Sequence, residues 1–165
     1  MIYIRNLKVF NCSINKSFHW SKLPKLKEKL NTEYFNFPSY ANLRYADLRY
    51  VDLCYADLSY ADLRYADLRY ADLSCADLSY ARLQPINGKE IIIKDFMTVQ
   101  GLGSCNRKIH ILKTNIGIVL MCDCFYGTEK EFKKKVKETY AGTNYEKEYL
   151  EMLKLARIRF SREIE

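Results

Sequence analysis

Apolar residues fall into three tracts with different periods along this 165-residue chain. In the middle tract leucine recurs every five residues without a gap, from Leu43, Leu48 and Leu53 through to Leu78 and Leu83. Two residues before each leucine stands alanine, or Val51 in one unit, and the position between them is Asp in seven of nine units. At about 100° per residue, leucines five apart on an α-helix would step round by roughly 140° and reach every face. Strand alternation needs an even period, so it fails too. The pattern requires a turn within every unit, so that each Ala and Leu points to one axis. Residues 40–59 and 60–79 are also identical at 16 of 20 positions. Four units therefore complete one circuit, which predicts a four-sided coil with neighbouring circuits about 4.8 Å apart.

The flanking tracts read differently. Residues 1–12 alternate like short strands, and residues 21–31 predict a helix in which Ser21 is the N-cap and Leu23, Leu26 and Leu30 share a face. After Pro85 an apolar β-type run covers Glu90 to Thr98, then a loop Gly101–Ser104, a strand Lys108–Lys113, a turn at Asn115 and a strand Ile116–Phe125. Two helices follow, each opened by a capping-box pattern, Thr128 with Glu131 and Thr143 with Glu146. Phe132, Val136 and Tyr140 line the first; Tyr149, Met152, Leu153, Ala156 and Phe160 line the second. The expected organisation is an N-terminal cap over 1–38, the coil over 39–85 and an α+β domain over 86–165. Two coils alone expose their ends, so the flanks are expected to cap them, with Pro38 and Pro85 ending the ladder.

The A-D-L-x-x unit over residues 41–85 resembles the pentapeptide-repeat family. The resemblance implies a right-handed quadrilateral β-helix, mainly β in class, that is a scaffold and not an active site. Some members are described as protecting DNA gyrase by imitating DNA. A second resemblance, over residues 100–153, is to a domain that follows pentapeptide repeats in small bacteriophage-encoded proteins. It rests on Gly103-Ser104, on Cys124-Phe125-Tyr126-Gly127-Thr128 with Glu131-Phe132, and on Glu148-Tyr149. That family's loop runs Gly-Ser-Arg, whereas here Cys105 follows Ser104 and the arginine is Arg107. This likeness implies a phage or prophage origin, and with it the cytoplasm of a bacterial host.

Charge sharpens the picture. The net +7 belongs to the flanks: residues 1–40 carry seven Lys/Arg against two Glu, while residues 41–85 carry five Arg against seven Asp. Within the coil, Asp47, Asp62 and Asp67 lie beside arginines, but Asp52, Asp57, Asp72 and Asp77 share their faces with none. Those four, with Tyr55, Tyr60 and Tyr80, are the candidate partner surface. The coil tyrosines are expected to stack in columns twenty residues apart. Against duplex DNA, with one charge per ~1.7 Å, four carboxylates are a sparse array, so nucleic-acid mimicry ranks below a protein partner.

Candidate chemistry is thin. Gly101, Gly103, Ser104, Arg107 and Lys108 have the residue types of an anion-binding loop, without the spacing of a P-loop or dinucleotide fingerprint. Cys122 and Cys124 with Cys105 or His110 lack the paired spacing of a zinc site. No catalytic set surrounds His19 or His110, so neither enzyme activity nor a cofactor is expected. All six cysteines are read as reduced thiols, and no stretch is long and apolar enough for a membrane span. The leading expectation is a non-catalytic module binding a host protein. The alternatives are a nucleotide-sequestering protein using the Gly101–Lys108 loop, and a gyrase-binding DNA mimic. An end-to-end homodimer stays open beside all three.

Overall fold

The computed structural model describes residues 40–103, 107–122 and 125–161. The strands and helix expected within 1–38 lie outside them, as does Pro38. The chain divides into two compact units, the first ending at Ile92 and the second beginning at Ile93.

In the first unit the five-residue count becomes a β-helix-like coil. Parallel bridges join Asn42 to Asp62, Asp47 to Asp67, Asp52 to Asp72, Asp57 to Asp77 and Asp62 to Arg82, so each circuit takes twenty residues. The backbone is satisfied in both directions. The Leu N–H donates to the carbonyl of the residue nineteen positions on, at 2.7–2.9 Å, as Leu53 does to Asp72. Within each unit the alanine (or Val51) N–H closes a turn on the leucine three residues before, at 3.0–3.2 Å. All nine repeat leucines are buried, which removes roughly 2 kcal/mol of apolar exposure each.

Each turn puts its third residue in the left-handed region. Eight tyrosines and Cys75 occupy that position, with φ between 58° and 68°. Glycine is the residue such a turn favours, and an L side chain there costs about 1 kcal/mol. The compensation is stacking. Tyr40, Tyr60 and Tyr80 form one column with ring centroids 4.8 and 5.0 Å apart. Tyr45 stacks on Tyr65 and Tyr50 on Tyr70, at 5.1 and 4.8 Å.

The last circuit runs directly into a hairpin. Strand β1 (Arg82–Ile86) pairs antiparallel with β2 (Lys89–Leu102), with Leu83 opposite Ile91 and Ile86 opposite Lys89. The register shifts between Leu83 and Ile86. Pro85 sits in that irregularity, where a missing N–H costs no ladder bond. It therefore does not end the ladder, as the sequence reading had it; the strand passes through it. Asn87 and Gly88 make the connection with φ of 50° and 75°, the paired positive values a two-residue hairpin needs.

The second unit holds an antiparallel sheet in which β2 pairs with β3 (Arg107–Thr114), β3 with β4 (Gly117–Cys122) and β4 with β5 (Phe125–Thr128). Two expectations are corrected. The apolar run is longer than Glu90–Thr98, and it carries Gly101 and Leu102 within the strand. The single strand expected over Ile116–Phe125 is two, folded back so that Cys122 faces Phe125 and Leu120 faces Gly127. The turn-type residue Asp123 stands at this point in the sequence, but with no Gly or Pro beside it the β-type composition on both sides conceals the break.

Helices α1 (Glu129–Tyr140) and α2 (Asn144–Ser161) follow. Thr128 completes a full capping box with Glu131. At α2 the Thr143 hydroxyl accepts from the Glu146 N–H at 3.4 Å, but the Glu146 carboxylate reaches back to the Gly142 N–H rather than to that of Thr143. Phe132 and Val136 of α1, and Tyr149, Met152, Leu153, Ala156 and Phe160 of α2, pack on Ile109, Ile111 and Leu120 of the sheet. These are the helix faces that the 3.6-residue period had marked, with Tyr140 half-buried at the margin. The second unit is pinned further by Arg159 to Asp95 at 2.8 Å, and by Glu129, which meets Lys133 at 2.7 Å and Arg157 at 2.6 Å.

Candidate functional site

The outer surface of the coil is built by the same turn that builds its interior. In eight of the nine units, all but that of Arg82, the residue before leucine is Asp or Asn, and its side-chain oxygen accepts the N–H two residues on, at 2.8–3.3 Å. This is an Asx turn, and it explains why Asp recurs. Asp52 takes the Cys54 N–H, Asp57 the Ser59 N–H and hydroxyl, Asp72 the Ser74 N–H and Asp77 the Ser79 N–H. The four carboxylates read as bare from the sequence are therefore turn acceptors. One oxygen of each is committed to the backbone.

On the other two faces the aspartates also hold arginines. Arg49 binds Asp47 through two parallel bonds of 2.8 and 2.7 Å, and Arg69 binds Asp67 through bonds of 2.9 and 2.6 Å. Arg64 forks onto Asp62 in the same way. These forks hold all three carboxyls below the ordinary aspartate range, because they favour the charged form. Arg44 and Arg49 also reach across to Asp62 and Asp67 of the next circuit, each at 3.6 Å. These faces carry paired charges, with four arginines after the leucines against three aspartates before them, because position 42 is Asn and Arg44 shares Asp62.

What protrudes is aromatic. Tyr40, Tyr45, Tyr50 and Tyr55 of the first circuit are 64–71% exposed, and Tyr60, Tyr65, Tyr70 and Tyr80 remain 44–53% exposed under their neighbours. The candidate residues Tyr60 and Tyr80 belong to the three-ring column. Tyr55 stands below Cys75, where a column of rings is interrupted. Arg44 lies over the rings of Tyr45 and Tyr65, at 5.4 and 5.8 Å from their centroids.

The candidate anion loop is dispersed differently. Gly101 lies in β2 and Lys108 in β3, Gly103 follows β2 as a turn, and Ser104 lies outside the described residues, as does the side chain of Arg107. The Gly103 N–H already donates to the Glu148 carboxylate at 2.9 Å. A phosphate at that amide would have to displace a negative group. Gly103 has φ of 72°, and a Cβ there would lie 1.8 Å from the Tyr149 hydroxyl. Tyr149 in turn packs edge-on against Phe132, and Phe132 against Phe125. Gly103, Phe125, Phe132, Glu148 and Tyr149, five residues that carry the resemblance over 100–153, thus meet in one packed corner. Sequence reading saw them as separate motifs, since nothing local marks Glu148 as the acceptor for an amide 45 residues away.

The remaining candidates do not converge. Cys122 packs on the helix side of the sheet, whereas His110, paired opposite Met121, faces the other side. Cys105 and Cys124 lie outside the described residues. His110 is buried, with Nδ1 2.9 Å from the Thr98 hydroxyl. Burial pushes the Tyr126 phenol well up from its ordinary range. Among the described residues no three His, Cys, Asp or Glu are placed to hold a metal ion, and no described helix is long and apolar enough to cross a membrane.

Residues 39–74 and 55–84 match the family model for pentapeptide repeats, in eight copies. Over this tract, less than half of the chain, the protein is similar to that family, and the likeness suggests a structural module for protein interaction. No curated protein and no solved structure matches the chain.

Proposed function

We propose that the protein is a non-catalytic interaction module, phage or prophage encoded, that binds a host protein in the bacterial cytoplasm. The observation that carries this reading is the exposed, regularly spaced tyrosine columns on a coil whose backbone is internally bonded. Tyrosine is a favoured anchor at protein interfaces, since it offers large contact area and a hydroxyl at small cost in side-chain freedom. Columns fixed by stacking lose little further freedom on binding.

The reading takes the coil as right-handed with four flat faces, as the repeat family implies. It places the partner on the faces with little arginine, bounded by Tyr55, Tyr60 and Tyr80 and including Asp52, Asp57, Asp72 and Asp77. Gyrase binding by DNA mimicry is less well supported, because those carboxylates each spend an oxygen on their own turn and the others are matched by arginines. Nucleotide sequestration is likewise disfavoured by the carboxylate at the Gly103 amide.

The test is affinity capture from bacterial lysate with the full chain and with a Tyr60→Gly/Tyr80→Gly variant, in which relief of the left-handed strain offsets the lost stacking and whose folding is checked by circular dichroism. A protein retained by the former and lost by the latter supports the reading. Identical captures from both, or none above background, would sink it.

A further inference from the structure

The coil departs from its own pattern at two neighbouring points. Cys54 takes the position after leucine that is Arg or Ser in the other complete turns, and Cys75 takes the left-handed position that is otherwise tyrosine. The register makes these two positions partners. Ten residues earlier, the equivalent pair is Arg44 and Tyr65, and there the Arg44 guanidinium lies over the Tyr45 ring of its own circuit and the Tyr65 ring of the next, 5.4 and 5.8 Å from their centroids. The backbone is held in the same register at the cysteines. Asp52 bridges Asp72, Leu53 donates to the Asp72 carbonyl at 2.7 Å, and Tyr55 donates to the Ser74 carbonyl at 3.3 Å. Cys75 is exposed and Cys54 half-buried, both as thiols.

We propose that Cys54 and Cys75 form a redox-active dithiol that staples the two circuits together when oxidised by a small-molecule disulfide. One residue along the chain is 3.8 Å and one circuit up is about 4.8 Å, which puts the two Cα atoms about 6 Å apart. A disulfide spans 4.4–6.8 Å. The exposed Cys75 thiolate attacks one sulfur of the oxidant, releasing one thiol and leaving a mixed disulfide on Cys75. The Cys54 thiolate then attacks the Cys75 sulfur, closing the protein disulfide and releasing the second thiol. Two protein thiols are oxidised, one external disulfide is reduced to two thiols, and the protons of Cys54 and Cys75 end on the products. Closure joins residues a full circuit apart, so it restrains the unfolded chain.

The experiment treats the folded full chain with oxidised glutathione, traps remaining thiols by alkylation and digests with trypsin. Cys54 and Cys75 then fall in separate peptides, 50–64 and 70–82. The expected product is the linked pair of these peptides, formed at least about tenfold faster in native protein than in urea. It should come with a rise in melting temperature of about 5–10 °C that dithiothreitol reverses. In Cys54→Ser, Cys75 should instead stop at the glutathione adduct. Wild-type protein that accumulates the Cys75 adduct without the linked pair overturns the proposal. So does a linked pair that forms equally well in urea.

Discussion

Placing a tyrosine in a left-handed turn reverses the usual ranking of glycine and alanine, and Tyr65 is the position at which to test it. Its φ is 62°, its ring lies 5.1 Å from that of Tyr45 with planes 7° apart, and Arg44 lies over it. Tyr65→Ala removes the stacked pair, about 0.5–1.5 kcal/mol, and the exposed cation contact, about 0.5–1 kcal/mol, while keeping the left-handed strain. Tyr65→Gly loses the same contacts but relieves that strain of about 1 kcal/mol. Alanine should therefore cost about 1–2.5 kcal/mol and glycine about 1 kcal/mol less. In an ordinary strand or helix the order is opposite, with alanine ahead by about 0.5–1 kcal/mol. Hydrogen exchange at the turn amides, Ala66 N–H above all, reads the coil separately from the second unit. About a fivefold smaller opening constant in the glycine variant than in the alanine variant is expected. Equal opening, or a more stable alanine variant, would refute the account of the tyrosines as strained residues held by stacking.

Four further outcomes follow from the packing. Leu63→Ala empties a site that is 1% exposed and should destabilise the coil by about 3–5 kcal/mol in urea denaturation. Gly103→Ala drives a methyl group into Tyr149 at a positive φ and should cost about 2–3 kcal/mol, measured as a lower melting temperature of the second unit, and the double variant with Tyr149→Ala should cost less than the two single changes summed. Thr128→Ala removes the hydroxyl that caps α1 and should cost about 1 kcal/mol by the same measurement. The carboxyls of Asp47, Asp62 and Asp67 titrate lower in the folded chain than in the unfolded one, where the value is about 3.9. Their contribution is full above that pH and is lost as pH falls through the folded values. The urea midpoint of the coil should therefore decline below about pH 4, and less steeply in Asp62→Asn.

The coil was legible in the sequence because its period is dictated by geometry. Leu48 and Leu68 must share an axis if the same two residues of every five are to be buried, and twenty-residue identity sets the circuit. That Asp suits its turn position, and that Asp47, Asp62 and Asp67 lie beside arginines, was legible too; that Asp52, Asp57, Asp72 and Asp77 each give an oxygen to their own backbone was seen only in the structure. Helices α1 and α2 were legible from their caps and buried faces. The reversal between Cys122 and Phe125 was not, because the residues on both sides have β-type composition and the pairing that separates β4 from β5 is not local. The corner formed by Gly103, Glu148 and Tyr149 is a tertiary contact across 45 residues, visible only once the sheet and α2 are folded. The closeness of positions 54 and 75 lay within the twenty-residue register, and the bridge from Asp52 to Asp72 fixes it.

The bridges from Asn42 to Asp62 and from Asp62 to Arg82 restrict how such a rod can lengthen. Adding one unit of five would advance everything beyond it by a quarter revolution; tyrosine would still meet tyrosine, since eight of the nine units carry one, but the hairpin at Asn87-Gly88 would turn to a different side. Adding twenty preserves every stack and every exit direction. A longer form that keeps the hairpin's exit direction should thus differ by multiples of twenty residues.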